Sequence, residues 1–124
     1  MNKTLMAMLA AGLAALSFNA AHAHGDVKPK HGGVIQTAND ISFELVAQAD
    51  GAAIYIEDHE KAVSVVGADG KLMVLNGADK VEAELKPAGD KLEAKGVKLA
   101  PGSKVVASVT MADKKTVSVR FSVK

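Results

Sequence analysis

The feature that most constrains this chain is a series of short apolar runs from Val34 onward, divided by Gly-, Asp- and Asn-containing turns. Within several runs the apolar side chains alternate with polar ones, as at Val117, Val119 and Phe121. Alternation with a period of two places the apolar side chains on one face of a β-strand, and the intervening turn residues favour tight hairpins. The sequence therefore predicts an all-β domain of eight or nine antiparallel strands, a small β-sandwich of immunoglobulin-like architecture. The predicted strands are GVIQTA, ISFELVAQ, AAIYIED, KAVSVV, KLMVLN, KVEAELK, KLEAKGVKL, SKVVASVTM and TVSVRFSV.

Residues 1–23 have the three regions of a secretory signal peptide. A positive start, MNK, precedes the apolar run TLMAMLAAGLAAL and the more polar SFNAAHA. The small residues Ala21 and Ala23 favour cleavage before His24, with cleavage after Ala21 as the alternative. The apolar run is short for a membrane-spanning helix, which needs about 20 residues. We therefore expect a cleaved signal-peptide helix and a periplasmic mature protein that is not embedded in a membrane. Residues 24–33 form its flexible arm and residues 34–124 its β-sandwich domain.

The charge balance argues against a nucleic-acid partner. Lys3 is the only charged side chain in residues 1–23, so the remaining 101 residues carry 14 basic and 14 acidic side chains. A nucleic-acid-binding protein would need an excess of basic side chains to neutralise phosphates. The chain also contains no cysteine. Any metal site must therefore use histidine, carboxylate, methionine or a free amino terminus.

Three of the four histidines lie within ten positions, where the apolar leader meets the domain. Cleavage after Ala23 would make His24 the first residue, and its amino group and imidazole would then chelate one metal ion. Cleavage after Ala21 would place His24 third, in a square-planar nitrogen set that suits Cu(II) or Ni(II). Both positions of cleavage predict a transition-metal site at the N-terminus, with copper(II) favoured and zinc or nickel as alternatives.

His31 and His59 are the other candidate metal ligands. His31 lies seven residues after His24, which lets a flexible arm fold back on itself. His59 lies in a predicted hairpin beside Asp58. If this hairpin packs beside the arm, the three histidines form one metal site, and Asp58 orients an imidazole by a hydrogen bond. The alternative places His31 in a surface turn and His59 in a solvated hairpin.

No motif with a catalytic mechanism is evident. The sequence lacks a glycine-rich phosphate loop, an HExxH helix and a serine nucleophile elbow. A copper enzyme acting on polysaccharide would need a substrate-binding face, commonly aromatic, and the chain offers little beyond Tyr55. We therefore expect a protein that is not an enzyme.

The segment HGGVIQTANDISFELV, followed by IYIEDHEKAV, resembles small secreted proteobacterial proteins of metal-resistance settings. It is also similar to the opening segment of periplasmic adaptor subunits of heavy-metal efflux pumps. The histidine-led N-terminus resembles periplasmic copper-binding β-sandwich proteins, although this chain lacks their methionine-rich loop. The positions that carry the first two resemblances are His31, Gly32, Gly33, Asp40, Phe43, Glu44, Leu45, Tyr55, Asp58 and His59.

These resemblances imply a metal-binding accessory protein of the periplasm. It would act as a carrier, buffer or adaptor in copper or heavy-metal resistance, with an efflux-pump component as partner. The rival interpretation is a structural or protein-interaction β-sandwich module of the periplasm that binds no metal.

Overall fold

The structure, a computed structural model, describes residues 27–124. The predicted signal peptide and His24 lie outside the described residues. Nine strands and no helix occur in the described range, so no helix there is long and apolar enough to span a bilayer. The strands are β1 (Val34–Ala38), β2 (Ile41–Gln48), β3 (Gly51–Asp58), β4 (Lys61–Ala62), β5 (Asp69–Asn76), β6 (Asp79–Ala88), β7 (Lys91–Lys95), β8 (Lys104–Thr110) and β9 (Thr116–Ser122).

The strands form one antiparallel sheet in the order β1-β2-β3-β7-β6-β5-β8-β9, and β4 pairs with the end of β3. Strand β6 joins the two halves of this sheet, because residues 79–85 pair with β5 and residues 86–88 pair with β7. β1 and β9, the two ends of the order, lie against each other. The sheet is thus nearly closed and barrel-like. The prediction of an antiparallel all-β domain is confirmed, whereas the immunoglobulin-like sandwich is not.

The alternation seen in the sequence fills the interior of this sheet. In β9, for example, Val117, Val119 and Phe121 are buried while the residues between them are exposed. The largest fully buried side chains are Phe43, Ile54, Leu72, Leu85 and Leu92. Apart from β4, whose two residues are exposed, the strands direct alternate residues toward one apolar core, and the other set faces outward.

Two predicted strands end earlier than the sequence pattern indicates. The run KAVSVV is a strand only over Lys61–Ala62, and a turn closed by a backbone hydrogen bond from Ala68 N to Val65 O occupies its end. The run KLEAKGVKL ends as a strand at Lys95, because Gly96 has a φ of +80°. A left-handed backbone conformation at Gly96 takes the chain out of the sheet.

Two tight hairpins frame the region that carries the candidate site. Asn39 and Asp40 join β1 to β2, and His59 and Glu60 join β3 to β4. All four residues have positive φ, the backbone of the two-residue hairpin turn that matches strand twist. The predicted hairpin at His59 is confirmed.

Candidate metal-binding site

Glu44 is a buried carboxylate on the outer side of the sheet. It lies in the middle of β2, paired with Ile35 of β1 and Tyr55 of β3. Its neighbours Phe43 and Leu45 point into the core, so Glu44 points outward, yet its exposed fraction is only 5%. A buried charge is costly unless it is well hydrogen-bonded. The structure supplies those bonds from the segment that precedes β1.

Residues 30–33, which we call the anchored segment, lie over Glu44. The backbone N–H groups of Lys30, His31 and Gly33 donate to the carboxylate, with N–O distances of 3.1, 2.8 and 2.8 Å. The sequence predicts a flexible arm over residues 24–33 that becomes ordered only if another group holds it. Glu44 holds its last four residues.

Glycine is required at both positions of the HGG motif, Gly32 and Gly33, for different physical reasons. A Cβ atom at Gly33 would lie 2.1 Å from the backbone oxygen of Leu45, so the segment can approach β2 only without a side chain there. Gly32 has a φ of +75° and open space around it, so its requirement is conformational. The sequence HGG is therefore the means by which the chain wraps the carboxylate.

Two opposing effects act on the pKa of Glu44. Burial raises the pKa of the carboxyl, and the hydrogen bonds from Gly33, His31 and Lys30 lower it. The hydrogen bonds prevail, so the pKa of Glu44 lies below the usual glutamate value. Glu44 is thus an ionised hydrogen-bond acceptor at neutral pH.

The imidazole of His31 is held on two sides. Its Nδ1 atom lies 3.0 Å from Oε1 of Glu44, and its ring stacks on Tyr55 with centroids 3.6 Å apart and planes 6° from parallel. An ionised carboxylate only accepts hydrogen bonds, so the hydrogen of His31 is on Nδ1. In the neutral ring, Nε2 then carries the lone pair. No hydrogen bond within residues 27–124 uses that atom, and the side chain is 37% exposed.

Lys30 links the anchored segment to the β3–β4 hairpin. Its ammonium Nζ lies 3.0 Å from Oε2 of Glu57 and donates to the backbone oxygen of Glu60 at 3.3 Å. On the other side of the site, Lys91 places its ammonium 5.9 Å from the centroid of the Tyr55 ring. The hairpin that carries His59 thus contacts the residue immediately before His31.

Asp58 and His59 form a pair of their own at the tip of this hairpin. His59 Nδ1 and Asp58 Oδ1 are 2.5 Å apart, and the two side chains are 83% and 53% exposed. Over residues 27–124 the structure contains no group of three or more histidine, aspartate or glutamate side chains that could hold one metal ion. His24 lies outside that range. A site that combines His24, His31, His59 and Asp58 therefore stays a prediction.

Sequence reasoning missed the role of Glu44. It placed the orienting carboxylate at Asp58, which contacts His59, whereas the carboxylate that contacts His31 is Glu44. Glu44 entered only as one position of the family resemblance. A usable signal was present, because Glu44 is the one charged residue within the apolar run ISFELVAQ.

The site is thus a histidine fixed by a buried carboxylate on the outside of an antiparallel, barrel-like all-β domain. Comparisons with known protein families, with curated proteins and with solved structures find no match to this chain. The resemblance to efflux adaptor segments accordingly stays a prediction.

Proposed function

We propose that this chain is a periplasmic metal-binding accessory protein, a carrier, buffer or adaptor in copper or heavy-metal resistance. The observation that carries the proposal is the hydrogen bond from His31 Nδ1 to Glu44, which leaves Nε2 as the ligand atom. Histidines that bind metals commonly donate their second ring nitrogen to a carboxylate in this way. The hydrogen bond selects the tautomer and orients the ring.

Stacking on Tyr55 supports the same proposal. A metal ligand that already has its bound orientation loses less conformational entropy on binding than a free side chain does. Glu44 and Tyr55 together fix the ring plane of His31. Among divalent ions a nitrogen site of this kind favours copper(II), with nickel and zinc weaker.

His24 is the proposed second ligand, since it precedes His31 by seven residues and would contribute an imidazole together with the amino terminus. His59 is the proposed third, supported by the contact between Lys30 and the hairpin backbone at Glu60. The metal ion is the cargo, and a periplasmic efflux-pump component is the proposed recipient.

A titration with Cu(II) tests the proposal through Tyr55, which is the chain's single tyrosine in a protein without tryptophan. Copper(II) bound at His31 would lie close to the stacked phenol ring and quench its fluorescence. We expect saturable quenching with a dissociation constant below micromolar, and a loss of at least tenfold in affinity in His24→Ala. His31→Phe keeps a ring that can stack on Tyr55 but removes both nitrogens, so it should abolish the saturable phase.

A matched control is Glu93→Gln, which changes a carboxylate on β7 outside the site and should leave the titration unchanged. Binding weaker than micromolar would contradict the proposal. So would saturable quenching that persists in the double variant of His24→Ala with His31→Phe.

One observation favours the rival interpretation, a structural or interaction module. The wrapping of Glu44 by residues 30–33 accounts for the HGG motif as an anchor for the chain, without any ligand. For such a module, the same titration should give only linear, unsaturable quenching.

A further inference from the structure

Strands β6, β5, β8 and β9 present an outer surface that we call the four-strand face. Inward positions such as Leu72 of β5, Val105 of β8 and Val119 of β9 are buried. The residues between them point outward, and none of the outward residues of β8 or β9 is acidic.

The strand registers order these outward residues into rows that run across the face. In the central row, Glu82 of β6 pairs with Met73 of β5, Met73 pairs with Val106 of β8, and Val106 pairs with Arg120 of β9. The row therefore reads acidic, apolar, apolar, basic. Met73 and Val106 are half-buried, and Glu82 and Arg120 are exposed.

The charged side chains at the two ends of this row form at most a weak ion pair with other residues of the described part of the chain. The nearest cation to Glu82 is Lys80 at 3.7 Å, in a pair whose two side chains are about half exposed. Such a pair contributes little to stability. Arg120 forms no ion pair with any of residues 27–124.

We propose that the four-strand face is the interface of a symmetric dimer of this chain. A two-fold axis parallel to the strands, between β5 and β8, would place Glu82 of one protomer against Arg120 of its partner. The same operation would place Met73 against Val106. Every contact then occurs twice, as a two-fold interface requires.

The neighbouring rows agree with this axis. One row reads Glu84, Lys71, Ser108, Ser118, and the other reads Lys80, Leu75, Lys104, Ser122. The two-fold axis places each of these rows against the same row of the partner protomer in reverse order. Each charged side chain then lies opposite a hydroxyl or an apolar group, so no like charges meet. An axis perpendicular to the strands would instead place Glu82 on Glu82 and Arg120 on Arg120.

The surface also has room for the partner's arginine. A groove of about 820 Å³ lies over β5, β6 and β8, and Met73, Glu82 and Val106 are among the residues that line it. In the dimer the guanidinium of the partner's Arg120 enters this groove beside Glu82. A planar guanidinium fits a carboxylate with two parallel hydrogen bonds.

The size of the face indicates a weak dimer. Four strands about 4.8 Å apart and seven residues rising about 3.3 Å each cover roughly 440 Å². Stable complexes bury about 800 Å² on each partner. Since this face is about half that size, we expect a weak, transient dimer. The His31 site lies over β2 and β3. These strands are three to five places from β5 and β8 in the strand order, on the far side of the barrel-like sheet. Both His31 sites therefore stay accessible in the dimer.

Sedimentation velocity of the mature protein between about 10 µM and 1 mM tests the proposal. We expect a monomer–dimer equilibrium that Arg120→Glu and Glu82→Arg each weaken at least tenfold, because each places two pairs of like charges in the interface. The double variant, with both changes, should return the dissociation constant to within threefold of the wild-type value. Lys95→Glu makes the same change in charge on β7, outside the face, and should have no effect.

A wild-type chain that stays monomeric at 1 mM overturns the proposal, as does a double variant no better associated than either single one. Cross-linking gives a second, independent readout. Positions 82 and 120 are three strands, about 14 Å, apart within one chain, too far for a zero-length carbodiimide cross-link. Arg120→Lys, mixed between isotope-labelled and unlabelled chains, should therefore give an intermolecular cross-link to Glu82, and its absence at 1 mM contradicts the dimer.

Discussion

Replacing Glu44 by glutamine tests the anchoring of the N-terminal segment with almost no change in shape. In the native site each carboxylate oxygen accepts two hydrogen bonds, Oε1 from Lys30 N and His31 Nδ1, and Oε2 from His31 N and Gly33 N. The amide oxygen of glutamine can keep one of these pairs. If its NH₂ group takes the place of Oε2, the backbone N–H groups of His31 and Gly33 lose their acceptor. If it takes the place of Oε1, His31 can accept at Nδ1 in its other tautomer, and only the N–H of Lys30 loses its acceptor.

The magnitude follows from this count. A buried donor left without an acceptor costs about 1–3 kcal/mol. One or two such donors set a loss of about 1–4 kcal/mol, because release of the anchored segment into water limits the penalty. In a domain of this size each kcal/mol lowers Tm by about 4–8 °C. We expect Glu44→Gln to lower Tm by about 5–30 °C.

Two measurements check this expectation, thermal unfolding by circular dichroism and amide hydrogen exchange by NMR. The backbone N–H groups that lose their acceptor, either those of His31 and Gly33 or that of Lys30, should exchange at least tenfold faster in the variant. Amides of the distant β8 should change less. Glu93→Gln is the matched control, for which we expect a change of at most about 0.5 kcal/mol. An unchanged Tm together with unchanged protection at Lys30, His31 and Gly33 would refute the anchoring argument.

The same geometry gives three further predictions. Since the pKa of Glu44 is lowered on folding, its stabilisation is complete above the ordinary glutamate pKa of about 4.3. This stabilisation is lost as the pH falls through the lower pKa of the folded state. The Tm difference between wild type and Glu44→Gln should therefore shrink below about pH 4. An undiminished difference at pH 2 would contradict this prediction. Gly33→Ala forces a Cβ against the Leu45 oxygen and should cost about 2–3 kcal/mol, whereas Gly32→Ala, strained only at φ, should cost about 1 kcal/mol. Equal effects in urea denaturation would contradict that distinction. Phe43→Ala removes a fully buried ring and should cost about 3–5 kcal/mol; a loss under 1 kcal/mol would place Phe43 outside the core.

The fold class could be predicted from the sequence because it depends on local patterns. Alternating apolar residues, as at Val117, Val119 and Phe121, reveal strands, and turn residues between them reveal hairpins. The order of the strands could not be predicted in this way. It depends on β6 changing partners from β5 to β7 at residues 85–86, a long-range pairing that no local period encodes.

Only the parts of the candidate site that have a local sequence signal could be predicted. His31 and His59 stood out as residue types, and the hairpin at His59 followed from its turn sequence. The contact between His31 and Glu44 joins residues 13 positions apart. It arises because Gly33 brings the chain close to β2, an approach that only a three-dimensional arrangement reveals. Tyr55 became visible as the stacking partner of His31 only through the pairing of β2 with β3.

The protonation of the two ring nitrogens of His31 is the sharpest test of the proposed metal ligand. In ¹⁵N-histidine NMR of the protein at about pH 8, where histidines are commonly neutral, we expect a protonated Nδ1 and an unprotonated Nε2 for His31. Addition of Zn(II), a diamagnetic ion, should then shift the Nε2 resonance and leave Nδ1 protonated. A His31 ring with its proton on Nε2, or a resonance that Zn(II) does not move at millimolar concentration, would contradict the account.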